Sequence, residues 1–252
     1  MSQNRTALIT GGSRGIGLEI ARVLASKGIH VILVARDEKL LQNERLEIIQ
    51  AGGIVDVLSV DFLALDAVEK LRMFLLRHDL QPTILVNGLG GGFGSSTFDS
   101  VEKYQNIMRL NFFVAHELTK LVLENAEKYS WGRFIYIGTL AINHKSASAP
   151  YIAAKAALVE YMKVMSKEMA NLNANIMAAA VSPGAISVPG KYLHKIEHSD
   201  PVALANFLRE NKVSIGRLGT PTEVAEVVAF LCEEETKYLH GCNIQIDGGA
   251  SN

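Results

Sequence analysis

The chain has 252 residues, 48% of them apolar, and its 25 basic and 26 acidic side chains leave a formal net charge of −1. A chain of this length buries about 70–75% of its unfolded surface, enough for a core without covalent staples. The balanced charge offers no basic surplus for nucleic acid or an anionic membrane, the first ten residues lack an apolar leader, and no 18-residue apolar run suggests a membrane span.

The first strand is expected at Thr6–Thr10, and it runs directly into Gly11, Gly15 and Gly17 before a helical pattern over 18–25. Glycines at such a turn allow close backbone approach, and the helix start presents free N–H groups to a pyrophosphate. The spacing is GxxxGxG rather than the commoner GxGxxG. Further strands are expected at His30–Ala35, Val55–Val60, Ile84–Asn87, Phe134–Ile137, Ile176–Ser182 and Asn243–Ile246, with helices near 37–51, 64–78, 101–128, 150–171 and 221–235. Alternating strands and helices argue for an α/β fold whose parallel sheet is covered on both faces, with the ligand at the carboxyl ends of the strands.

Tyr151 and Lys155 lie four residues apart, hence on one helix face. A free phenol ionises near ~10, and an ammonium held close lowers that value by stabilising the phenolate. The pair therefore reads as a tuned general acid/base.

With the glycine turn, Asp61, Leu85-Val86-Asn87, Asn111, Tyr151/Lys155, Pro183-Gly184, Gly216-Arg217 and the ending Ile246-Asp247-Gly248-Gly249 in this order, the whole chain resembles the single-domain short-chain dehydrogenases/reductases, and among them the 3-oxoacyl carrier-protein reductases. The resemblance implies a Rossmann-like doubly wound, seven-stranded parallel sheet, with residues 1–252 as one dinucleotide-binding and catalytic domain. It implies that Tyr151 moves a proton to or from the substrate oxygen, that Lys155 tunes Tyr151 and holds the nicotinamide ribose, and that Asn111 keeps a water in the proton path. It places Gly11, Ser13, Arg14, Gly15, Ile16 and Gly17 on the cofactor. Asp61 and Phe62 follow at the adenine, Asn87 and Gly88 after the fourth strand, and Pro183, Gly184, Ile186 and Ser187 after the sixth. Asn87 is expected to tie central strands together.

The cofactor expected is NADP(H). Arg36, after the second strand, falls where a guanidinium can grip a 2′-phosphate, with Arg14 on the other side. Asp37 could instead pair with Arg36. The chain departs from the resemblance at three places. Thr139 stands for the usual serine if the loop to Tyr151 is one residue short; otherwise Ser146, Ser148 or no hydroxyl serves. Five glycines occupy residues 88–94, implying either backbone close to the cofactor or a mobile rim. A threonine common two residues beyond Ile186 is absent, so its contact shifts to Ser187 or is lost.

The expected activity is interconversion of a carbonyl and a secondary alcohol. Reduction of 3-oxoacyl thioesters, sugar or sugar-derivative chemistry, and a weakly catalytic NADP-binding interaction protein are alternatives. Residues 188–214 are expected to form a substrate lid. There Lys191, Tyr192, His194, Lys195 and His198, with His144 and Lys145 nearby, hint at a polar or anionic substrate, offset by Glu197 and Asp200. Cys232 and Cys242 lack metal-ligand spacing and are expected to be reduced thiols in a cytoplasmic protein. Neither metal, nucleic acid nor membrane is expected as a partner. Apolar residues on more than one side of 101–128 (Phe112, Phe113, Leu118, Leu121, Val122) and 150–171 (Leu158, Tyr161, Met162, Met165) suggest a homotetramer.

Overall fold

The apolar runs become β1 (Thr6–Thr10), β2 (His30–Ala35), β3 (Val55–Ser59), β4 (Ile84–Asn87), β5 (Trp131–Ile137), β6 (Asn175–Pro183) and β7 (Asn243–Ile246) in a computed structural model that describes residues 5–144, 147–172, 174–233 and 238–251. All pair in parallel, in the order β3-β2-β1-β4-β5-β6-β7. The helices are α1 (Gly15–Ser26), α2 (Glu38–Gln50), α3 (Ala67–Arg77), α4 (Val101–Met108), α5 (Val114–Lys128), α6 (Ala141–His144), α7 (Ala149–Met169), α8 (Tyr192–Ser199), α9 (Pro201–Glu210) and α10 (Pro221–Glu233).

Successive strand side chains point to opposite faces, and each face has its own core. Ile9, Leu33, Ile135 and Val181 pack with α1 and α10, while Leu8, Ile32, Phe134 and Tyr136 pack with α3, α5 and α7. Burial on both faces is why the inner strands read as nearly continuous apolar runs, while the edge strands β3 and β7 are only partly buried. The strand order reverses between β1 and β4, and a crevice opens there at the carboxyl ends.

Two expectations need correction. The single helix over 101–128 is interrupted by a π-helical turn, Arg109–Phe113. Within it Asn111 Nδ2 donates to the Ile107 carbonyl four residues back, at 2.9 Å, competing with the regular backbone bond. Residues 188–214 hold two helices, α8 and α9. Most of the apolar residues assigned to a second helix face (Leu118, Leu121, Val122, Leu158, Met162, Met165) are buried in this chain's own core. That leaves Phe113 47% and Val164 60% exposed, beside half-buried Phe112 and Tyr161.

Cys232 and Cys242 are free thiols, and burial pushes the Cys232 thiol up to about 12. Among the described residues no helix is long and apolar enough to cross a membrane. Lys145 and Ser146 lie outside the described residues, as does the side chain of His144.

Candidate active site

A cavity of about 830 Å³ runs along the carboxyl ends of β1, β2, β4, β5 and β6. Small-molecule and cofactor sites span roughly 300–1,000 Å³. Its floor is the turn between β1 and α1. Gly11 and Gly15 have φ of +71° and +60°, in the left-handed region that favours glycine. A Cβ at Gly11 would lie 2.9 Å from the Gly88 carbonyl oxygen, and one at Gly17 would lie 2.5 Å from that of Gly11. The α1 N-cap, Arg14, makes no side-chain cap, and no acidic residue occupies the first turn. The helix start therefore keeps N–H groups and a partial positive charge for an anion.

At the β2 end, Arg14 and Arg36 line the cavity with exposed guanidiniums. Asp37 does not pair with Arg36. It caps α2 by accepting from Leu40 N at 3.1 Å and stands 3.9 Å from Arg14 Nη2. Asp61 accepts from Leu63 N at 3.0 Å as a turn cap, while its neighbours Val60 and Phe62 line the cavity. Asn87 is buried at the end of β4, between Thr10 of β1 and Tyr136 of β5. Its Nδ2 is a buried donor without a partner among the described residues. The open helix start, the glycine floor and this unpartnered donor fit a dinucleotide.

The reacting end lies where β5 meets α7. The Thr139 hydroxyl accepts from Ala141 N at 3.2 Å and interacts with the Tyr151 phenol so as to favour its ionised form. Both residues line the cavity with Lys155. Lys155 is buried, and its Nζ donates to the Ile137 carbonyl at 2.7 Å. Desolvation lowers the Lys155 pKa to about 8. The expected lowering of Tyr151 is not what the structure shows. Burial raises its pKa, and the Thr139 hydroxyl offsets this only in part. The ammonium of Lys155 is engaged with β5, so desolvation of the phenol wins.

Asn111 does not line the cavity. Its buried amide clamps the glycine segment: Oδ1 accepts from Gly91 N at 2.9 Å and Nδ2 donates to Gly91 O at 3.1 Å. Gly90 is thereby pressed against the lysine, and a Cβ there would overlap Asn111 Oδ1 and lie 2.9 Å from Lys155 Nζ. Glycine is required at residue 90 because the backbone there is packed on Asn111 and Lys155.

The family model described as enoyl-(acyl carrier protein) reductase matches residues 11–251. A tropinone reductase homolog of Arabidopsis thaliana is 34% identical, covering 99% of this chain and 91% of that protein. The 3-oxoacyl-[acyl-carrier-protein] reductase FabG of Pseudomonas aeruginosa is 29% identical, covering 98% and 97%. The chain belongs to the short-chain dehydrogenase/reductase family. It is an NAD(P)-dependent reductase of that family. The solved structure of L-sorbose reductase from Gluconobacter frateurii with NADPH and L-sorbose superposes with a TM-score of 0.90 at 26% identity, over 99% of this chain and 97% of that one.

Sequence reasoning missed or misplaced several parts of this dehydrogenase/reductase cleft. The Ser187 hydroxyl turns away to Glu197 of α8, and Val188 lines the cleft instead, against Gly15. Lys191 and Leu193 reach it from the expected lid. Asp200, by contrast, is used as the α9 cap, accepting from Ala203 N at 2.9 Å. Phe93 also lines the cleft, and its only signal in the sequence was its place among glycines.

Proposed function

We propose that this chain is an NADP(H)-dependent oxidoreductase that interconverts a ketone or aldehyde with an alcohol, using Tyr151 as the general acid/base. The observation that carries the proposal is the convergence of Thr139, Tyr151 and buried Lys155 on one cavity. When bound, the cofactor supplies or accepts the hydride. The Thr139 hydroxyl orients the substrate oxygen, and the Tyr151 phenol delivers the proton to it. Lys155, Asn87 and the glycine turn hold the dinucleotide, while Asn111 fixes Gly91 and through it the wall beside Lys155. Residues 188–214 cover the substrate, with Val188, Lys191 and Leu193 facing it.

Two substrate classes have specific support. One relative is a reductase of a ketose, L-sorbose, and another of a 3-oxoacyl chain; both substrates present a ketone.

Arg14 and Arg36 set the cofactor preference, since no carboxylate stands at position 35 or 36. NADPH is expected to bind at least about tenfold tighter than NADH, as charge-assisted pairing to a 2′-phosphate supplies a preference of that order. Arg36→Asp should lose most of the difference. Titration of cofactor fluorescence checks this, and equal or tighter NADH binding would refute it.

We also infer a homotetramer built on the outer faces of α5 and α7. Exposed Phe113 and Val164, with Phe112 and Tyr161, form the apolar strip that a second copy would cover. Edge strand β7 gives the second surface. Light scattering at micromolar concentration should give four times the 27.4 kDa chain mass; a monomer mass would exclude the interface.

A further inference from the structure

We propose that Phe93 selects the substrate, favouring ketones that carry an apolar group beside the carbonyl; the inference rests on the reductase function above. Phe93 is held by an unusual piece of backbone. Gly90, Gly91 and Gly94 have φ of +152°, +144° and +67°, and Phe93 itself lies at +48°, a conformation a bulky side chain adopts only when its surroundings impose it. Both ends of the segment are tied down. Asn111 clamps Gly91, and Ser95 Oγ meets Ser148 Oγ at 2.6 Å.

Ser148 is the N-cap of α7, yet its hydroxyl makes no cap bond to its own helix. It is spent on Ser95, three residues before Tyr151. Ser95 N also closes a turn onto Gly92 O at 2.8 Å, and Lys103 Nζ donates to the Phe93 carbonyl at 3.1 Å. The result is a short arch whose one large side chain folds back over Gly91, its ring atoms 3.7–3.9 Å from a Cβ position there. Phe93 lines the same cavity as Thr139 and Tyr151 and remains 42% exposed. An aromatic ring left exposed at the rim of a reactive cleft, on backbone that disfavours it, is placed to cover an apolar substituent of the substrate.

The test compares acetophenone with hydroxyacetone, using NADPH. Phe93→Ala should lower kcat/KM for acetophenone about tenfold or more, mainly through KM, because apolar pocket contacts of this size give discrimination of roughly 10–200-fold. Its kcat/KM for hydroxyacetone should stay within threefold, and Phe93→Leu should keep most of the preference. Equal losses on both ketones, or none on either, would overturn the assignment. Failure of the wild-type protein to reduce either ketone would count against the reductase function. In that event Phe93→Trp decides the role of the residue without turnover. With NADP⁺ present, the introduced indole should shift its emission to the blue on adding 1-phenylethanol and not on adding glycerol, and no shift with either would overturn the proposal.

Discussion

Replacing Tyr151 with phenylalanine should abolish measurable turnover while leaving NADPH affinity within a few-fold. The ring keeps its packing at the N-terminal end of α7, but nothing remains to move a proton onto the substrate oxygen. A positioned general acid contributes about 10²–10⁴-fold. Lys155→Ala should damage both turnover and cofactor binding, because Lys155 and Tyr151 line one cavity. The pH profile of the wild-type enzyme carries the same information. Reduction needs the Tyr151 proton and the Lys155 ammonium; the former is secure because burial raises Tyr151. The ammonium is lost as pH rises through about 8, so kcat/KM for reduction should be flat below that value and fall above it. The sign for stability is opposite. Burying charged Lys155 opposes folding fully below about pH 8, and that cost is relieved as pH rises from about 8 toward the ordinary 10.5. Near-normal kcat in Tyr151→Phe would refute the proton-transfer role.

Gly90→Ala should be nearly as severe, although Gly90 has no functional group. Its φ of +152° disfavours any side chain, at a cost of about 1–3 kcal/mol. The added methyl would also overlap Asn111 Oδ1 and crowd Lys155 Nζ at 2.9 Å. Displacing reacting groups by about 1 Å can cost roughly 10²-fold in rate. Gly52→Ala separates the two causes, since Gly52 has a φ of +86° with nothing within 4 Å of a Cβ. That variant should lose stability alone, whereas Gly90→Ala should lose stability and kcat together. Thermal midpoints and kcat measured on both variants decide it. Activity within threefold of wild type in Gly90→Ala would mean that the glycine segment does not hold Lys155 in place.

The inner strands were legible because they are buried on both faces, whereas edge strands β3 and β7 are only partly buried. A run such as Val31–Ala35 is apolar throughout, and polar residues bound it. The glycine turn and the Tyr151/Lys155 pair were legible because their chemistry requires fixed residues at fixed spacing. What escaped depends on long-range contacts. Arg109–Phe113 has nothing in its composition to forbid an α-helix; the π turn arises as Asn111 reaches both Ile107 and Gly91. The electrostatics of Tyr151 were misjudged because spacing reports neither burial nor the Ile137 carbonyl that engages Lys155. The partners of Ser187 and Asp37 were unreadable for the same reason, since Glu197 and Arg14 reach them only after the chain folds. The Ser95–Ser148 bond joins residues 53 apart in sequence and left no local trace.

The proposed enzyme turns over its substrate and does not merely bind a cofactor. The most direct measurement mixes the wild-type protein with NADPH and a panel of ketones and aldehydes, following NADPH loss by absorbance and alcohol formation by chromatography. At least one carbonyl compound should be consumed with one alcohol formed per NADPH oxidised, and Tyr151→Phe should do neither. Saturable NADPH binding with no oxidation across the panel would contradict this, and would identify an NADP-binding protein that keeps the cleft without using it for chemistry.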